Sequence, residues 1–459
     1  MLPFLISIFR LFETSFVFLD TFDECILSCF LKKSLFNNRG YEKMSSLNVL
    51  LLLLPATLAQ VPSWPSSWRM NDSTIAMICN YSGYQDPQLT PPFALLDFDW
   101  SNALALWSAS TPMDTNERLL VQAGLTSAAN PATKSWIYRN SAYAYPWYNT
   151  VRFILDDEDY SPWFLKFKPN PPWYSPKCDV NYDPPKCTEY FHTQMDTPLP
   201  QGKGGYGACT GSACNCGSKP CGFYVFNHSS DAVINGQTFQ QWFIDSYMLD
   251  SIGMSPDVSG FFWDDFWSDS GNMGDNTKNA TEDMGLTNAD LIQLTNSYTA
   301  NMATLVNRTL SAGKFSWQML YTGGDPDSKG STCPGPIIQK GSCSATFRSL
   351  CTEGSPAQTR TLMYGLSPGF CTGNPANLTD FDNDLASFLL IRGEYGYIGH
   401  GWLGCSRTYD FPPELSVDYG IPTGLCSETA ENSEVFTRDY SKSTITFNCT
   451  SWTSSIVMK

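Results

Sequence analysis

The sequence has few histidines and few basic residues. Only His192, His228 and His400 occur among 459 residues, and they are far apart, which argues against a three-histidine metal site. Lys and Arg number 28 against 44 Asp and Glu, a formal net charge of −16. This balance argues against nucleic acid or an anionic membrane as a partner. We expect a neutral partner such as a carbohydrate, and no cofactor.

The apolar run at 47–59 is too short to span a bilayer comfortably, which takes about 20 residues. The run at 47–59 ends in small residues and predicts a signal peptide over 44–59, cleaved after Ala59. Residues 1–43 would then be an upstream extension. Of 16 cysteines, Cys25 and Cys29 fall in that extension, and the 14 others are enough for seven disulfides.

The sequons agree with export from the cell. Seven Asn-x-Ser/Thr sequons occur, at Asn71, Asn80, Asn227, Asn279, Asn307, Asn377 and Asn448. Together with the signal and the cysteines, they predict a secreted, glycosylated protein with no membrane partner after signal removal.

The order of apolar segments predicts the fold. Residues 60–92, rich in Pro, Ser and Trp, are interpreted as an N-terminal arm. Over 93–404, strands alternate with helices, which predicts a (β/α)8 TIM-type barrel with Cys-rich loop insertions. Residues 405–459 are predicted to form a loop and a small antiparallel β appendage. The predicted strands are 93–100, 134–140, 189–194, 222–227, 258–264, 315–321, 362–366 and 395–402, and the helices 116–129, 148–156, 238–248, 288–310 and 380–392.

The stretch 257–267, Asp-Val-Ser-Gly-Phe-Phe-Trp-Asp-Asp-Phe-Trp, is the most informative. An apolar run that ends in two carboxylates is typical of a buried parallel strand carrying acids to the rim of a sheet, where α/β proteins keep their chemistry. Neighbouring strand residues face opposite ways, so Asp264 and Asp265 share a pocket only if the strand has ended. We favour Asp264 as reactive; both could instead be loop or cap residues.

Hydrolysis of a glycosidic bond needs two carboxyl groups. Asp264 is our candidate for the nucleophile or base. Its acid partner stays open among Asp99, Asp265, Asp325 and Glu394, each of which could equally be a loop or cap residue. Further candidates for binding substrate lie near the same predicted strand ends: Asp97, Trp100, Tyr138, Arg139, His192, Gln194, Trp267, Gln318, His400 and Trp402.

Other motifs have competing interpretations. Cys209, Cys214, Cys216 and Cys221 resemble a metal cluster, but paired disulfides fit a secreted chain better. Asp264, Asp265 and Asp269 form a DDxxxD pattern, which we interpret as chance because a strand precedes it. The Asp97-Phe98-Asp99 triplet matches the D-x-D of metal-dependent glycosyltransferases. The glycine-rich run 201–207 lacks the strand and helix context of a phosphate loop.

Three segments carry a resemblance: Gly-Phe-Phe-Trp-Asp-Asp at 260–265, Leu-Leu-Asp-Phe-Asp-Trp at 95–100, and Arg-Gly-Glu-Tyr-Gly-Tyr-Ile-Gly-His-Gly-Trp at 392–402. The chain resembles barrel-type glycoside hydrolases, specifically the hypothetical glycosyl hydrolase family 15 within the α-galactosidase and α-glucosidase-like superfamily. The likeness covers about residues 90–450 in layout and implies Asp264 as nucleophile. The doubled Asp and the many cysteines depart from that pattern.

We therefore expect a secreted glycoside hydrolase acting on a poly- or oligosaccharide. Two alternatives remain: a non-catalytic carbohydrate-binding or cell-wall glycoprotein, and a lumenal metal-dependent glycosyltransferase.

Overall fold

A computed structural model describes much of the chain from residue 67 onward. The described residues are 67–90, 92–168, 177–179, 186–195, 216–265, 284–316, 338–359, 361–366, 378, 380–400 and 409–459. All of them belong to one structural unit, 60–459. The predicted extension and signal peptide lie outside the described residues.

The strands of the described residues are numbered in chain order. They are β1 (Thr74–Ile78), β2 (Leu95–Phe98), β3 (Lys134–Asn140), β4 (Tyr143–Ala144), β5 (Lys177–Asp179), β6 (Lys186–Thr188), β7 (His192–Met195), β8 (Gly222–Val225), β9 (Val233–Ile234), β10 (Gln237–Thr238), β11 (Gly260–Asp264), β12 (Phe315–Ser316), β13 (Leu362–Gly365), β14 (Gly396–His400), β15 (Ser427–Glu428), β16 (Val435–Asp439), β17 (Ser443–Asn448) and β18 (Thr453–Met458).

The helices are numbered in the same way. They are α1 (Leu104–Trp107), α2 (Thr115–Ala129), α3 (Asn149–Asp156), α4 (Phe239–Trp242), α5 (Asn288–Ser311), α6 (Cys343–Leu350), α7 (Pro356–Thr359) and α8 (Phe381–Ile391). A π-helical segment, Phe243–Met248, continues α4, and 3₁₀ turns occupy Met70–Asp72, Glu158–Trp163 and Pro413–Ser416. Within the described part of the chain, no helix combines the length and the apolar character needed to cross a membrane.

A seven-stranded, all-parallel sheet forms the centre of the fold. Its order is β12-β11-β3-β2-β1-β14-β13. Apart from the missing pair between β12 and β13, sheet strands that follow one another in the chain pair with each other, and β14 returns to pair with β1. This cyclic order fits an α/β barrel-like fold, whereas closure as a (β/α)8 barrel stays a prediction. The edges are β12 and β13, and residues 317–337 between them lie outside the described part.

The predicted set of eight barrel strands is wrong in three places. The predicted strands 189–194 and 222–227 correspond to β7 and β8, which join β4 in a separate antiparallel sheet. Conversely, β1 falls in the segment that we interpreted as an arm. All five of its residues are buried, as expected for a parallel strand covered on both faces. Because the segments on both sides of β1 are rich in Pro and Ser, the sequence did not indicate a strand here.

The other predicted elements agree with the structure within a few residues wherever it describes them. The helix predicted at 288–310 is α5, which begins with a capping box: Thr287 Oγ1 accepts from Asp290 N, and Asp290 Oδ2 accepts from Thr287 N at 2.8 Å. The predicted antiparallel tail is also confirmed, because β15 to β18 form a four-stranded antiparallel sheet.

A second hydrophobic core joins this C-terminal sheet to the body. Helix α8 packs against β16, β17 and β18, and the side chains of Leu385, Phe436 and Phe447 are buried between them. Two disulfides, Cys343–Cys449 and Cys351–Cys426, tie α6 and the residue after it to this sheet.

Disulfides among the described residues agree with the prediction of an oxidised chain, whereas the full predicted set of seven stays a prediction. A third disulfide joins Cys216 to Cys221, and Cys79 and Cys187 are also disulfide-bonded. The bond between Cys216 and Cys221 favours the disulfide interpretation of that cysteine cluster. Its other two members, Cys209 and Cys214, lie outside the described residues.

Candidate active site

Strand β11 delivers Asp264 to the carboxyl edge of the parallel sheet. Its register with β3 sets Phe262 beside Tyr138 and Asp264 beside Asn140. At Gly260 the sheet leaves no room for a side chain, because a Cβ there would lie 2.4 Å from the Cβ of Phe315. The sequence Gly-Phe-Phe-Trp-Asp thus combines a close approach at its start with a carboxylate at its end.

Three donors surround the half-buried carboxylate of Asp264. Tyr138 Oη donates to Oδ2 at 2.6 Å, and Asn140 Nδ2 lies 3.4 Å from the same oxygen. The backbone N–H of Asp265 donates to Oδ1 at 3.0 Å. Burial raises the pKa of Asp264 above its usual value of 3.8, whereas these donors oppose the rise by favouring the ionised form.

The proton of Tyr138 sets the direction of a short hydrogen-bond chain. Because Tyr138 donates to Asp264, the contact of 3.2 Å between the hydroxyls of Tyr138 and Tyr145 must use the proton of Tyr145. Burial raises the pKa of both tyrosines well above the usual 10, and the Asp264 charge adds to the rise. Both phenols therefore remain donors at physiological pH.

Asp265 also turns toward Asn140. Strand β11 ends at Asp264, and Asp265 adopts a left-handed backbone conformation with φ of 62°. Its Oδ2 accepts from Asn140 Nδ2 at 2.7 Å, so one amide contacts both carboxylates. We expected neighbouring residues to share a pocket only if the strand had ended, and this turn is how that condition is met.

The orientation of the Asn140 amide follows from its backbone partners. Asn140 Oδ1 accepts from the N–H of Ala142 at 2.9 Å and of Tyr143 at 2.6 Å. These two donors identify the oxygen, so the Nδ2 donor must face the carboxylates. The turn after β3 therefore supplies a fixed donor to the pair of acids.

Strand β2 supplies a second pair of acids, Asp97 and Asp99. Asp99 follows β2 and is 8 % exposed, and Ser101 donates to its Oδ1 from the backbone N–H at 2.8 Å and from the hydroxyl. Burial raises the pKa of Asp99 to about 7; the Asp264 charge adds to the rise and the Ser101 bonds oppose it. Asp99 is therefore partly protonated at neutral pH.

Asp97 is the most deeply buried acid of the group. It has no exposed surface, and neither carboxylate oxygen has a hydrogen-bond partner in the described part of the chain. Burial, followed by the charges of Asp99 and Asp264, raises its pKa well above 3.8. Its environment thus disfavours the ionised form, and a direct role in holding substrate is not what the burial of Asp97 favours.

Aromatic rings form one wall beside these acids. Trp100 packs on Trp147 with ring centroids 4.7 Å apart, and Tyr145 stacks on Trp147 at 4.7 Å. Phe223 lies 4.9 Å from Tyr145 and is half-buried. The predicted Trp100 therefore belongs to a packed cluster whose member Tyr145 also bonds Tyr138.

Arg139 faces away from the site. It points to the other face of β3, where its Nη2 pairs with Asp250 Oδ1 at 3.3 Å and its Nη1 donates to Tyr138 O at 2.9 Å. Alternation along the strand explains this placement, because Tyr138 and Asn140 occupy the face that meets Asp264. Arg139 is a structural ion-pair residue, contrary to our expectation that it binds substrate.

Glu394 does not meet Asp264 either. It is exposed and precedes β14, so it lies at the amino edge of the sheet, whereas Asp264 ends β11 at the carboxyl edge. Its backbone oxygen accepts from Ser67 N. We expected Glu394 as a possible acid, and its position before the strand, not after it, removes it from the site.

His400 is buried among aromatic rings at the end of β14. Its Nε2 contacts Asp410 O at 2.7 Å, and its ring centroid lies 5.7 Å from that of Tyr409. Burial lowers its pKa. This environment is that of an ordinary buried histidine, whereas we expected His400 to bind substrate. Trp267, Gln318, Trp402 and Asp325 lie outside the described residues, as do the side chains of His192 and Gln194.

Three residues of the site were not among our predicted site residues: Asn140 and Tyr298, which contact the acids, and Tyr145, which contacts Tyr138 and Asn140. Asn140 had a usable signal, since it lies two residues after Tyr138 in the same strand. Tyr298 had none, because it lies on α5, 33 residues from the Asp265 oxygen that it contacts. Over the described residues, no group of three His, Cys, Asp or Glu side chains is arranged to hold a metal ion.

Comparison with known proteins gives no family assignment. No protein-family model and no curated protein matches the chain, so the resemblance to the hypothetical glycosyl hydrolase family 15 stays a prediction. Among solved structures, the chain is similar to a cyclic α-maltosyl-(1→6)-maltose hydrolase from Arthrobacter globiformis, in complex with cyclic α-maltosyl-(1→6)-maltose. Identity is 10 % and the TM-score 0.38, over 84 % of this chain and 91 % of that chain. A likeness at this TM-score does not establish a shared fold.

Proposed function

We propose that the chain is a glycoside hydrolase in which Asp264 and Asp99 are the two catalytic carboxyl groups. One observation carries this proposal: a carboxylate held by Tyr138 and Asn140 lies within the electrostatic reach of a buried carboxyl whose pKa is about 7. Two acids whose environments give them different protonation states are the requirement of glycosidic-bond hydrolysis.

The contacts divide the roles. Asp264 has three donors on its oxygens, which favour the ionised form that a nucleophile or base requires. Asp99 keeps a proton near neutral pH and acts as the general acid on the leaving oxygen. Of the acid candidates left open by the sequence, Asp99 is supported by its burial and Glu394 is not.

The wall of aromatic rings supports a carbohydrate as substrate. Sugar rings present apolar C–H faces that pack on aromatic side chains, and the half-buried Phe223 and Tyr143 lie at the edge of this wall. We propose a poly- or oligosaccharide as the substrate class.

An oxidising, secretory location is part of the proposal. Three disulfides in the described residues are typical of secreted proteins. Two of the sequon asparagines, Asn71 and Asn307, are exposed, as attachment of a glycan requires.

The glycosyltransferase alternative is less well supported. A D-x-D site needs both acids open to a metal and a nucleotide sugar, but Asp97 is fully buried beneath Asp99. The non-catalytic alternative predicts glycan binding without turnover. Both are outcomes of the experiment below.

The test uses the purified chain and a panel of glycans and aryl glycosides. Asp264→Asn should lower kcat by about 10²- to 10⁴-fold, because it removes the reactive carboxylate. Asp99→Asn should abolish the fall in activity as pH rises through about 7, since that limb reports loss of the acid proton. It should also spare aryl glycosides with good leaving groups, which need little protonation.

Asp245→Asn is the matched control, because Asp245 is an exposed acid paired with Arg308. It should behave as the unaltered chain does. Turnover by Asp264→Asn equal to that of the unaltered chain would contradict the assignment. Manganese-dependent consumption of a nucleotide sugar would favour the transferase, and binding without turnover the non-catalytic glycoprotein.

A further inference from the structure

Behind the Asp264–Asp265 corner, helix α5 presents the hydroxyl of Tyr298 to the main chain. Tyr298 Oη donates to Asp265 O at 2.8 Å. Ser141 Oγ lies 2.6 Å from both Asp264 O and Tyr298 Oη, and Ser141 N donates to Asp264 O at 3.0 Å. Tyr298 has no exposed surface. Two consecutive carbonyls are thus held from one side by two buried hydroxyl groups.

A second layer fixes Ser141 and Tyr298. His228 Nε2 lies 2.9 Å from Ser141 O, and Asn301 Nδ2 lies 3.1 Å from His228 Nδ1. Asn301 must donate, so Nδ1 accepts and Nε2–H donates to Ser141 O. The His228 ring meets Tyr298 edge to face at 4.9 Å. Burial lowers the pKa of His228 to about 4, which keeps this neutral tautomer near pH 7.

The hydroxyl groups of Tyr298 and Ser141 support an uncommon backbone conformation at Asp265. A non-glycine residue at a φ of 62° is uncommon and persists where its surroundings hold it. This conformation directs the Asp265 carboxylate to Asn140, at 2.7 Å. Asn140 Nδ2 has two protons for four oxygen neighbours: Asp265 Oδ2 is the nearest, Tyr138 Oη and Tyr145 Oη lie at 2.9 and 3.0 Å, and Asp264 Oδ2 lies at 3.4 Å. Asp265 therefore competes directly with Asp264 for this donor.

We propose that Tyr298 is a positioning residue that holds the Asp264–Asp265 turn, so that Asp265 shares the Asn140 amide with Asp264. The inference rests on the proposed function, in which Asp264 is the reactive carboxylate. Without the hydroxyl, the turn relaxes, Asp265 leaves Asn140, and the Asn140 proton that Asp265 had accepted becomes available to Asp264 while the amide itself stays in place. The Asp264 carboxylate then accepts more hydrogen bonds and is displaced from the position that catalysis requires.

Tyr298→Phe removes only the hydroxyl. The pKa of Asp264 should fall, because a donor is gained and a neighbouring negative charge withdraws. Carbon-13 NMR of chain labelled at the Asp carboxyl carbons measures this directly, with Asp264→Asn and Asp265→Asn to assign the signals. The other titratable groups around Asp264, whose signals or charges must be followed, are Asp97, Asp99, Tyr138, Tyr145, Asp265 and Tyr298.

In turnover, kcat should fall about 10- to 100-fold with KM unchanged, because a small displacement of a reactive group affects the transition state more than binding. The acid limb of the pH profile should shift to lower pH in parallel with the NMR titration. Should Tyr298→Phe fail to fold, Ser141→Ala serves as the second variant, because it removes the hydroxyl beside Tyr298 that donates to Asp264 O.

Tyr440→Phe is the matched control. Tyr440 is also fully buried and donates its hydroxyl to a backbone carbonyl, Leu389 O at 2.5 Å, but it belongs to the C-terminal core. It should lower the melting temperature and leave the Asp titrations and kcat unchanged. The inference is overturned if Asp264 and Asp265 titrate in Tyr298→Phe as they do in Tyr440→Phe. The NMR titration gives this result whether or not the chain hydrolyses a glycan, so it is separate from the test of the proposed function.

Discussion

Asp265 shows how one backbone angle changes the composition of a site. In a continuing strand its side chain would face away from that of Asp264. Its left-handed φ ends the strand and brings its carboxylate to Asn140. Aspartate tolerates this conformation better than most residues, because its short polar side chain can bond locally. Both carboxylates of a doubled Asp at the end of a buried strand can therefore belong to one site.

Asp99 carries a cost in stability that depends on pH. Its pKa is about 7 in the folded chain against an ordinary value of 3.8. The folded state thus holds a proton that the unfolded state has lost, so this group lowers stability as pH rises from about 4 to about 7. The carboxyl group that we propose as the general acid therefore lowers the stability of the folded state.

We expect Asp99→Asn to become progressively more stabilising as pH rises. Its free energy of unfolding, relative to the unaltered chain, should increase by about 3 kcal/mol between pH 5 and pH 8, from 1.36 kcal/mol per pH unit over that part of the shift. Denaturant titrations at several pH values measure it.

Asn keeps the oxygen that accepts from Ser101, so the bond at that position survives in the variant. Comparing one variant across pH also cancels any constant effect of the substitution. A difference that does not change with pH would mean that Asp99 titrates near its ordinary value in the folded chain.

Helix α8 is capped at its C-terminal end by an arginine from the C-terminal sheet. Arg438 on β16 is buried, and its Nη1 lies 3.2 Å from Leu389 O, 3.0 Å from Leu390 O and 2.7 Å from Arg392 O. The last carbonyls of a helix lack partners within the helix, and a cation there also complements the helix dipole. Arg438 therefore joins the C-terminal sheet to α8 by bonds as well as by packing.

We expect Arg438→Ala to destabilise the fold by about 2 to 4 kcal/mol, because the carbonyls of Leu390 and Arg392 lose the guanidinium donor. Arg438→Lys should recover only part of this loss, since an ammonium cannot reach all the positions of the guanidinium fork. Thermal and denaturant unfolding measure both. A loss within error of zero for Arg438→Ala would show that water replaces the guanidinium at no cost.

Elements with strong local patterns were predictable, and β1 was not. Strand β3 was predicted at the bounds that the structure shows, because its centre, Trp-Ile-Tyr, combines aromatic and β-branched residues. The run Thr-Ile-Ala-Met-Ile of β1 is more apolar, but it is only five residues long and lies among turn-forming neighbours. Its place between β2 and β14 depends on partners distant in the chain.

At the scale of the whole molecule, the disulfides connect distant parts of the chain. Cys343–Cys449 spans 106 residues, whereas Cys216–Cys221 spans five. A crosslink that closes a longer loop removes more conformational entropy from the unfolded chain. The long crosslink therefore stabilises the junction between α6 and the C-terminal sheet more than the short one stabilises its own loop.

Replacing Cys343 and Cys449 together by Ala should lower the free energy of unfolding by about 5 kcal/mol, against about 2 kcal/mol for Cys216 and Cys221, from the loop-length dependence. Denaturant unfolding of the two double variants measures the difference, and a free-thiol count of the unaltered chain is the control. Equal losses would indicate that the long loop stays compact when the chain unfolds. Reactive thiols at these positions would contradict the disulfides themselves.

Local patterns were sufficient for the strands β2, β3, β11, β13 and β14, for the main helices, and for Asp264 at the end of a strand, because burial and hydrogen bonding impose their periodicity on adjacent residues. The sheet order, the separate sheet formed by β4, β7 and β8, and the choice of Asp99 over Glu394 arise from contacts between residues far apart in the chain. The raised pKa of Asp99 and the contact of the Tyr298 hydroxyl with Asp265 also arise from contacts between residues far apart in the chain. Desolvation and long-range hydrogen bonds exist only when distant segments pack together, so no local pattern records them.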